Sequence, residues 1–168
     1  MIRSILIILL SLGLSIGQDC DEGYTYFADV PINTTVIQGD NCFSDLEIDF
    51  LNDLLNDNSS LNFSSPLEIG TQNWINGHLL FFYLGNTSTG GGISIDVLPE
   101  SIGNLSSLRI FYLDFNNITE LPESIGSLSS LIFFVLSFNQ LTELPESIGN
   151  LTSLTWLDLG YNELEFLP

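Results

Sequence analysis

The sequence predicts an α/β fold: a short solenoid with a parallel sheet lining its concave side, short helical or 3-10 segments on the convex side, and a cap over its N-terminal end. Three observations predict it. A 23-residue unit recurs in register through the last part of the chain. Within each unit apolar and polar residues alternate with period two, and the alternation stops before a Pro and a Gly. Upstream lies a stretch of helical spacing, behind an apolar leader.

The repeat comes first, because a fixed period governs every later assignment. Leu98 opens LPESIGNLSSLRIFYLDFNNITE, Leu121 opens LPESIGSLSSLIFFVLSFNQLTE and Leu144 opens LPESIGNLTSLTWLDLGYNELEF. Leu167 and Pro168 start another unit. Each unit contains L-x-x-L-x-L-x-x-N-x-L, carried by Leu108, Phe111, Leu113, Asn116 and Ile118 in the first. Leu131, Phe134, Leu136, Asn139 and Leu141 carry it in the second, and Leu154, Leu157, Leu159, Asn162 and Leu164 in the third. The alternating part is a short strand with its apolar side chains turned inward. The chain then turns and buries backbone N–H and C=O groups, which an Asn amide can satisfy as both donor and acceptor. Pro-Glu-Ser-Ile-Gly-x-Leu returns along the convex side. There Ile102, Leu105, Ile125, Leu128, Ile148 and Leu151 point back to the core, and Pro and Gly favour short helical turns. Such units are stable only when stacked, because each buries its apolar face against its neighbours.

The region from Leu98 to Pro168 resembles the leucine-rich repeats of the Ras-suppressor and plant type, whose unit is LPxSIGxLxxLxxLxLxxNxLxx. The resemblance implies a leucine-rich-repeat solenoid over 77–168, with regular units at 98–120, 121–143 and 144–166 and a truncated start at 167–168. A degenerate unit occupies 77–97: Leu79, Phe82 and Leu84 fit the strand, Thr87 stands where Asn is expected, and Ser88-Thr89-Gly90-Gly91-Gly92 reads as an inserted loop. Residues 18–76 resemble the N-terminal cap of secreted plant-type repeats. Asp45 to Leu55 has helical spacing, with Leu46, Phe50, Leu51 and Leu54 as its apolar face, and Trp74 stands where such caps carry a Trp. Caps of that kind commonly hold more cysteines than this one. No corresponding cap follows the last unit. That end is expected to be covered by further repeats of a longer gene product, by a partner or by self-association.

Residues 1–17, MIRSILIILLSLGLSIG, read as a secretory signal peptide: Arg3 forms the basic end, an apolar stretch follows, and Ser15 and Gly17 have the small-residue spacing of a cleavage site. The apolar stretch is shorter than the roughly 20 residues of a membrane span, so no membrane insertion of the mature chain is expected. Secretion places Cys20 and Cys42 in an oxidising compartment, where they are expected to form a disulfide. The chain carries 2 basic residues against 21 acidic, for a net charge of −19, which excludes nucleic acid and anionic membrane surfaces as partners.

In the family the exposed strand positions line a concave face. Here they form the columns Ile110/Phe133/Trp156, Tyr112/Val135/Asp158, Asp114/Ser137/Gly160 and Phe115/Phe138/Tyr161. This surface is unusually apolar and aromatic, which suits a protein or peptide ligand. The last column is also expected to pack against itself. Sequons stand at Asn33, Asn58, Asn62, Asn86, Asn104, Asn117 and Asn150 and are candidate glycosylation sites. No nucleophile–base set, zinc motif, phosphate loop or dinucleotide fingerprint occurs, so no enzyme, metal or cofactor is expected. His78, the one histidine, reads as a surface or turn residue, and Glu100, Glu123 and Glu146 recur as a solvated convex column. The functional expectation is a secreted or extracellular recognition module. The alternatives are a fragment of a leucine-rich-repeat membrane-receptor ectodomain and a secreted inhibitor of extracellular hydrolases.

Overall fold

The computed structural model describes residues 20–85 and 94–168. The leader, the Asn86 sequon, Thr87 and the Ser88–Gly92 insertion lie outside the described residues.

The chain begins with a small N-terminal unit. Strand β1 (Tyr24–Tyr26) pairs antiparallel with β3 (Cys42–Ser44), and a Cys20–Cys42 disulfide ties the start of the described chain to β3. Between them runs β2 (Thr34–Gln38). Helix α1 (Asp45–Asp57) follows β3 directly, with Asp45 and Glu47 in its first turn, where acidic side chains complement the helix dipole. The inward face of α1 departs from the sequence expectation. Phe50, Leu51 and Leu54 are buried as expected, but Leu46 is 59% exposed and Glu47 and Ile48 are buried in its stead. The helix is rolled so that Glu47 reaches a backbone donor: its carboxylate accepts from Leu79 N at 2.6 Å. A leucine at that place would leave the N–H buried and unpaired, a cost of about 1–3 kcal/mol.

Strands β4 (Thr71–Ile75) and β5 (His78–Tyr83) form a hairpin. Its turn is Asn76-Gly77, with φ of 50° and 79°, the signature of a type I′ turn. Only glycine fits at 77, since a Cβ there would stand 2.6 Å from the carbonyl oxygen of Cys42. The expected boundary between cap region and repeats, 76/77, therefore falls inside a paired hairpin, so one continuous sheet crosses it.

Each repeat then contributes one short strand: β6 (Ile110–Tyr112), β7 (Phe133–Val135) and β8 (Trp156–Asp158). Among the described residues the main sheet runs β2-β4-β5-β6-β7-β8. Every pairing in it is parallel except the β4–β5 hairpin, so it is parallel-rich rather than wholly parallel. The convex returns are 3-10 turns at Glu100–Asn104, Glu123–Ser127 and Glu146–Asn150. Leu108, Phe111, Leu113, Ile102 and Leu105 are fully buried, as are their counterparts one unit on.

A single core joins the two parts. Rings run through it in series: Phe43 meets Trp74 edge-on at 4.8 Å, Phe50 meets Phe82 at 6.2 Å, and Phe82, Phe111 and Phe134 stack at 5.8 and 5.4 Å. Among the described residues no helix is long and apolar enough to cross a membrane.

Candidate functional site

The solvent-facing rows of the sheet lie where the repeat spacing puts them. Pairing aligns Phe81, Ile110, Phe133 and Trp156 in one row and Tyr83, Tyr112, Val135 and Asp158 in the next. Along the first row exposure grows from half-buried Ile110 to 39% at Phe133 and 58% at Trp156. Phe81 and Tyr83 extend both rows beyond the regular repeats, and their rings meet Tyr112 edge-on at 5.9 and 6.3 Å. Reasoning from sequence missed these two. The 79–84 strand lies 29 residues before its successor rather than 23, so the columns do not align until the insertion is removed.

The third column is polar. Asp114 is half-buried, Ser137 is buried and Gly160 is open. Gly160 N donates to Asp158 Oδ1 at 3.0 Å. Burial pushes the Asp114 carboxyl above the usual carboxylate range; its own backbone N–H opposes that and the charge of Asp158 adds to it. Burial, followed by the charge of Asp114, raises the Tyr83 hydroxyl.

The fourth column, Phe115, Phe138 and Tyr161, sits past the strand ends. All three residues take left-handed backbone angles, with φ of 57°, 57° and 56°. That conformation costs a non-glycine residue about 1–2 kcal/mol. Their rings stack nearly parallel, at 4.2 and 4.1 Å between centroids, and such contacts contribute about 0.5–1.5 kcal/mol each. The column packs against itself, yet Phe138 and Tyr161 still offer 39% and 76% of their surface to solvent.

Behind the face stands a ladder of asparagines. Asn139 Oδ1 accepts from Ile118 N at 3.0 Å, while Nδ2 donates to Leu113 O and Leu136 O at 2.8 and 2.9 Å. Asn116 repeats the pattern with Ile95 N, Leu84 O and Leu113 O, and Asn162 with Leu141 N, Leu136 O and Leu159 O. These bonds hold the strands' exit turns and so fix the spacing of the rows.

Two sequon asparagines are held by hydrogen bonds of the fold. A glycan attaches at Nδ2, and both positions have that atom engaged. Asn58, 2% exposed, donates Nδ2 to Leu54 O at the end of α1 and to Val97 O, both at 2.9 Å, and accepts from Asp96 N and Val97 N through Oδ1. Half-buried Asn33 donates Nδ2 to the carbonyls of Leu67, Glu68 and Gly70. Asn62, Asn104, Asn117 and Asn150 are exposed, and Asn117 Nδ2 donates to Ser94 Oγ and Asp96 Oδ1.

His78 is the first residue of β5 and is more than a surface residue. Its Nδ1 lies 3.2 Å from Glu47 Oε1 and its Nε2 lies 3.1 Å from the Tyr24 hydroxyl. Burial raises the Glu47 carboxyl, and the bonds from Leu79 N and His78 partly offset that. This chain of contacts clamps α1 to the hairpin. Among the described residues no three His, Cys, Asp or Glu side chains gather as a metal site.

Comparison with known proteins adds to this geometry. A family model described as a leucine-rich repeat region matches residues 77–166. No curated protein matches the chain. Solved structures similar to it include a leucine-rich-repeat protein of Leptospira interrogans, 31% identical with a TM-score of 0.40. That match covers 54% of this chain and 27% of the other, so the chain spans about a quarter of that protein's length.

Proposed function

The chain belongs to the leucine-rich repeat family, and from that premise we propose a secreted, non-enzymatic recognition module that binds a protein or peptide ligand on its concave face. Domains of this family are typically binding modules. The observation that carries the reading is the row ending in Phe133 and Trp156. Large apolar rings stand open on a sheet whose other face is packed beneath β6 and β7, where Phe111, Leu113, Phe134 and Leu136 are fully buried. Exposed aromatic rings of this kind are the residues that dominate binding energy at protein interfaces.

The repeats fit the Ras-suppressor and plant type in their Leu-Pro-Glu-Ser-Ile-Gly phrase, and residues 18–76 fit an N-terminal cap by their helix and the buried Trp74 beyond it. Secretion is supported by the leader-like residues 1–17, the Cys20–Cys42 disulfide and the sequons at Asn62, Asn86, Asn104 and Asn150. Expression with the native leader in a eukaryotic secretory host tests this part. Protein in the medium that loses mass on peptide-N-glycosidase digestion is expected; retention in the cell, or no change in mass, refutes it.

The binding face is tested by selecting a random peptide library on the immobilised chain. Binding of the selected peptides is expected to fall in Trp156→Ala with thermal unfolding unchanged. A large drop in unfolding temperature would instead make Trp156 a packing residue.

A further inference from the structure

We infer that the concave face takes a basic ligand: an extended peptide segment that lays an Arg or Lys side chain along the aromatic rows and sets its charge against Asp114 and Asp158. This rests on the reading that the face binds a peptide, and it specifies which class.

Three observations converge on that class. The ionised groups on the solvent-facing rows are both carboxylates, and they lie close enough for Asp158 to disfavour the charge on Asp114. Neither meets a cation, because the one ion pair among the described residues is Glu47–His78, at the opposite end of the neighbouring strand β5. The surrounding surface is aromatic. Ring faces carry a negative quadrupole and attract ammonium and guanidinium groups, most strongly at Trp. Carboxylates and ring faces together therefore favour one kind of side chain, a cation on an apolar stem. The same face repels an acidic segment, and the net charge of −19 reinforces that from every side.

The described residues place no such cation on this face. Arg109 is the one Lys or Arg among the described residues. It precedes β6 and lies in a row with Leu80, Ile132 and Thr155, outside the rows that hold the carboxylates. Half-buried Asp114 is thus a charge held in part away from water with no cation beside it. A bound cation would relieve that, and proton uptake by Asp114 on acidification would oppose binding.

The experiment is the random-library selection on the full chain, read for composition. Arg and Lys are expected to be enriched over the starting library. Affinity of the selected peptides should fall about tenfold in Asp114→Asn and in Asp158→Asn, the size of a lost close charge pair. It should stay unchanged in the convex variants Glu123→Gln and Glu146→Gln. Thermal unfolding of each variant checks that the Asn replacements, which keep size and an acceptor oxygen, leave the fold intact. Peptides that need Trp156 but show no basic enrichment, or no response to the Asn variants, overturn this inference and leave the binding-face reading standing. Basic peptides weakened equally by the convex variants overturn it too, since net charge alone would then explain them. A selection that yields no peptide sensitive to Trp156→Ala refutes the binding-face reading itself, and this one with it.

Discussion

The repeats and the N-terminal unit bury the same kind of backbone groups by different means. In the repeats one residue type does the work at a fixed interval: Asn116, Asn139 and Asn162 make corresponding bonds one unit apart. In the N-terminal unit the residue that does this differs from place to place. Asn58 closes the end of α1, and Gln72 serves Pro66 O, Ile69 O and the Trp74 indole N–H. Asn33 serves the turn at Leu67–Gly70, and Glu47 serves Leu79 N. The difference teaches what repetition provides. A stacked array reuses one solution, whereas the N-terminal unit, which does not share the repeat, satisfies its backbone with individual bonds, one of them from a buried carboxylate.

Substitutions can break or sharpen that contrast, and the largest effect is expected inside the ladder. Asn139→Ala strands Ile118 N and two carbonyls in a buried turn and should cost about 3 kcal/mol or more in urea unfolding, at roughly 1–3 kcal/mol for each unsatisfied group. Asn162→Ala should cost only about 1 kcal/mol, since its site is half-buried and water can replace part of the lost bonding. Equal losses at the two positions would show that burial does not set the ladder's worth. Asn58→Ala falls between the two, at about 2 kcal/mol, because three of its four bonds are only part-buried and water can replace some of them. A loss matching that at Asn139 would erase the distinction between periodic and individual solutions.

The convex side gives a smaller and sharper pair. Cβ atoms added at Gly103 and Gly126 would press on Ser124 and Ser147 of the next turn, at 3.0 Å and 2.6 Å to the nearest atoms, while nothing lies within 4 Å at Gly149. Gly126→Ala should therefore cost about 1–3 kcal/mol through overpacking. Gly149→Ala should be neutral or stabilise by about 0.4–1 kcal/mol, as the unfolded chain loses freedom. Thermal unfolding of the two variants reads this directly, and identical shifts would argue against close packing of the convex turns.

The smallest effect belongs to Glu47. Its pKa in the fold stands above its unfolded value, so the folded state holds the proton more tightly. Stability from this group rises as pH falls from the folded value toward the unfolded one, and declines as pH rises through that window. Glu47→Gln keeps an acceptor for Leu79 N and removes the charge. The variant should be at least as stable as the parent at neutral pH and should lose that part of the slope. Unfolding temperatures of the two proteins tracked from neutral to mildly acidic pH would show it; parallel curves would place the titration elsewhere.

The same contrast explains what could be read from sequence. The period put Ile110, Phe133 and Trp156 in one row, and Leu108, Phe111 and Leu113 in the core, because each position is attested three times. Glu47 was invisible because a glutamate on a helix ordinarily faces water; only the tertiary demand of Leu79 N turns it inward, with Leu46 displaced outward. Asn33 and Asn58 matched a short sequon that carries no information about burial. The Asn76-Gly77 dipeptide is a legible turn signal, but a repeat register that begins at 77 cuts through it and hides the hairpin. The left-handed angles at Phe115, Phe138 and Tyr161 had no sequence cue, because bulky aromatic residues rarely adopt them.

The asparagine ladder also has a direction. Besides Leu136 O in its own unit, Asn139 closes the turn before it, at Leu113 and Ile118. Asn162 does the same for Leu136 and Leu141. A repeat is therefore finished by its successor, and the array has a grammar: a unit can be added or removed cleanly only together with the Asn that completes the preceding one. Cutting before Asn162 would unfasten the turn at Leu141 as well as discarding the last residues, whereas cutting after it leaves each earlier turn tied.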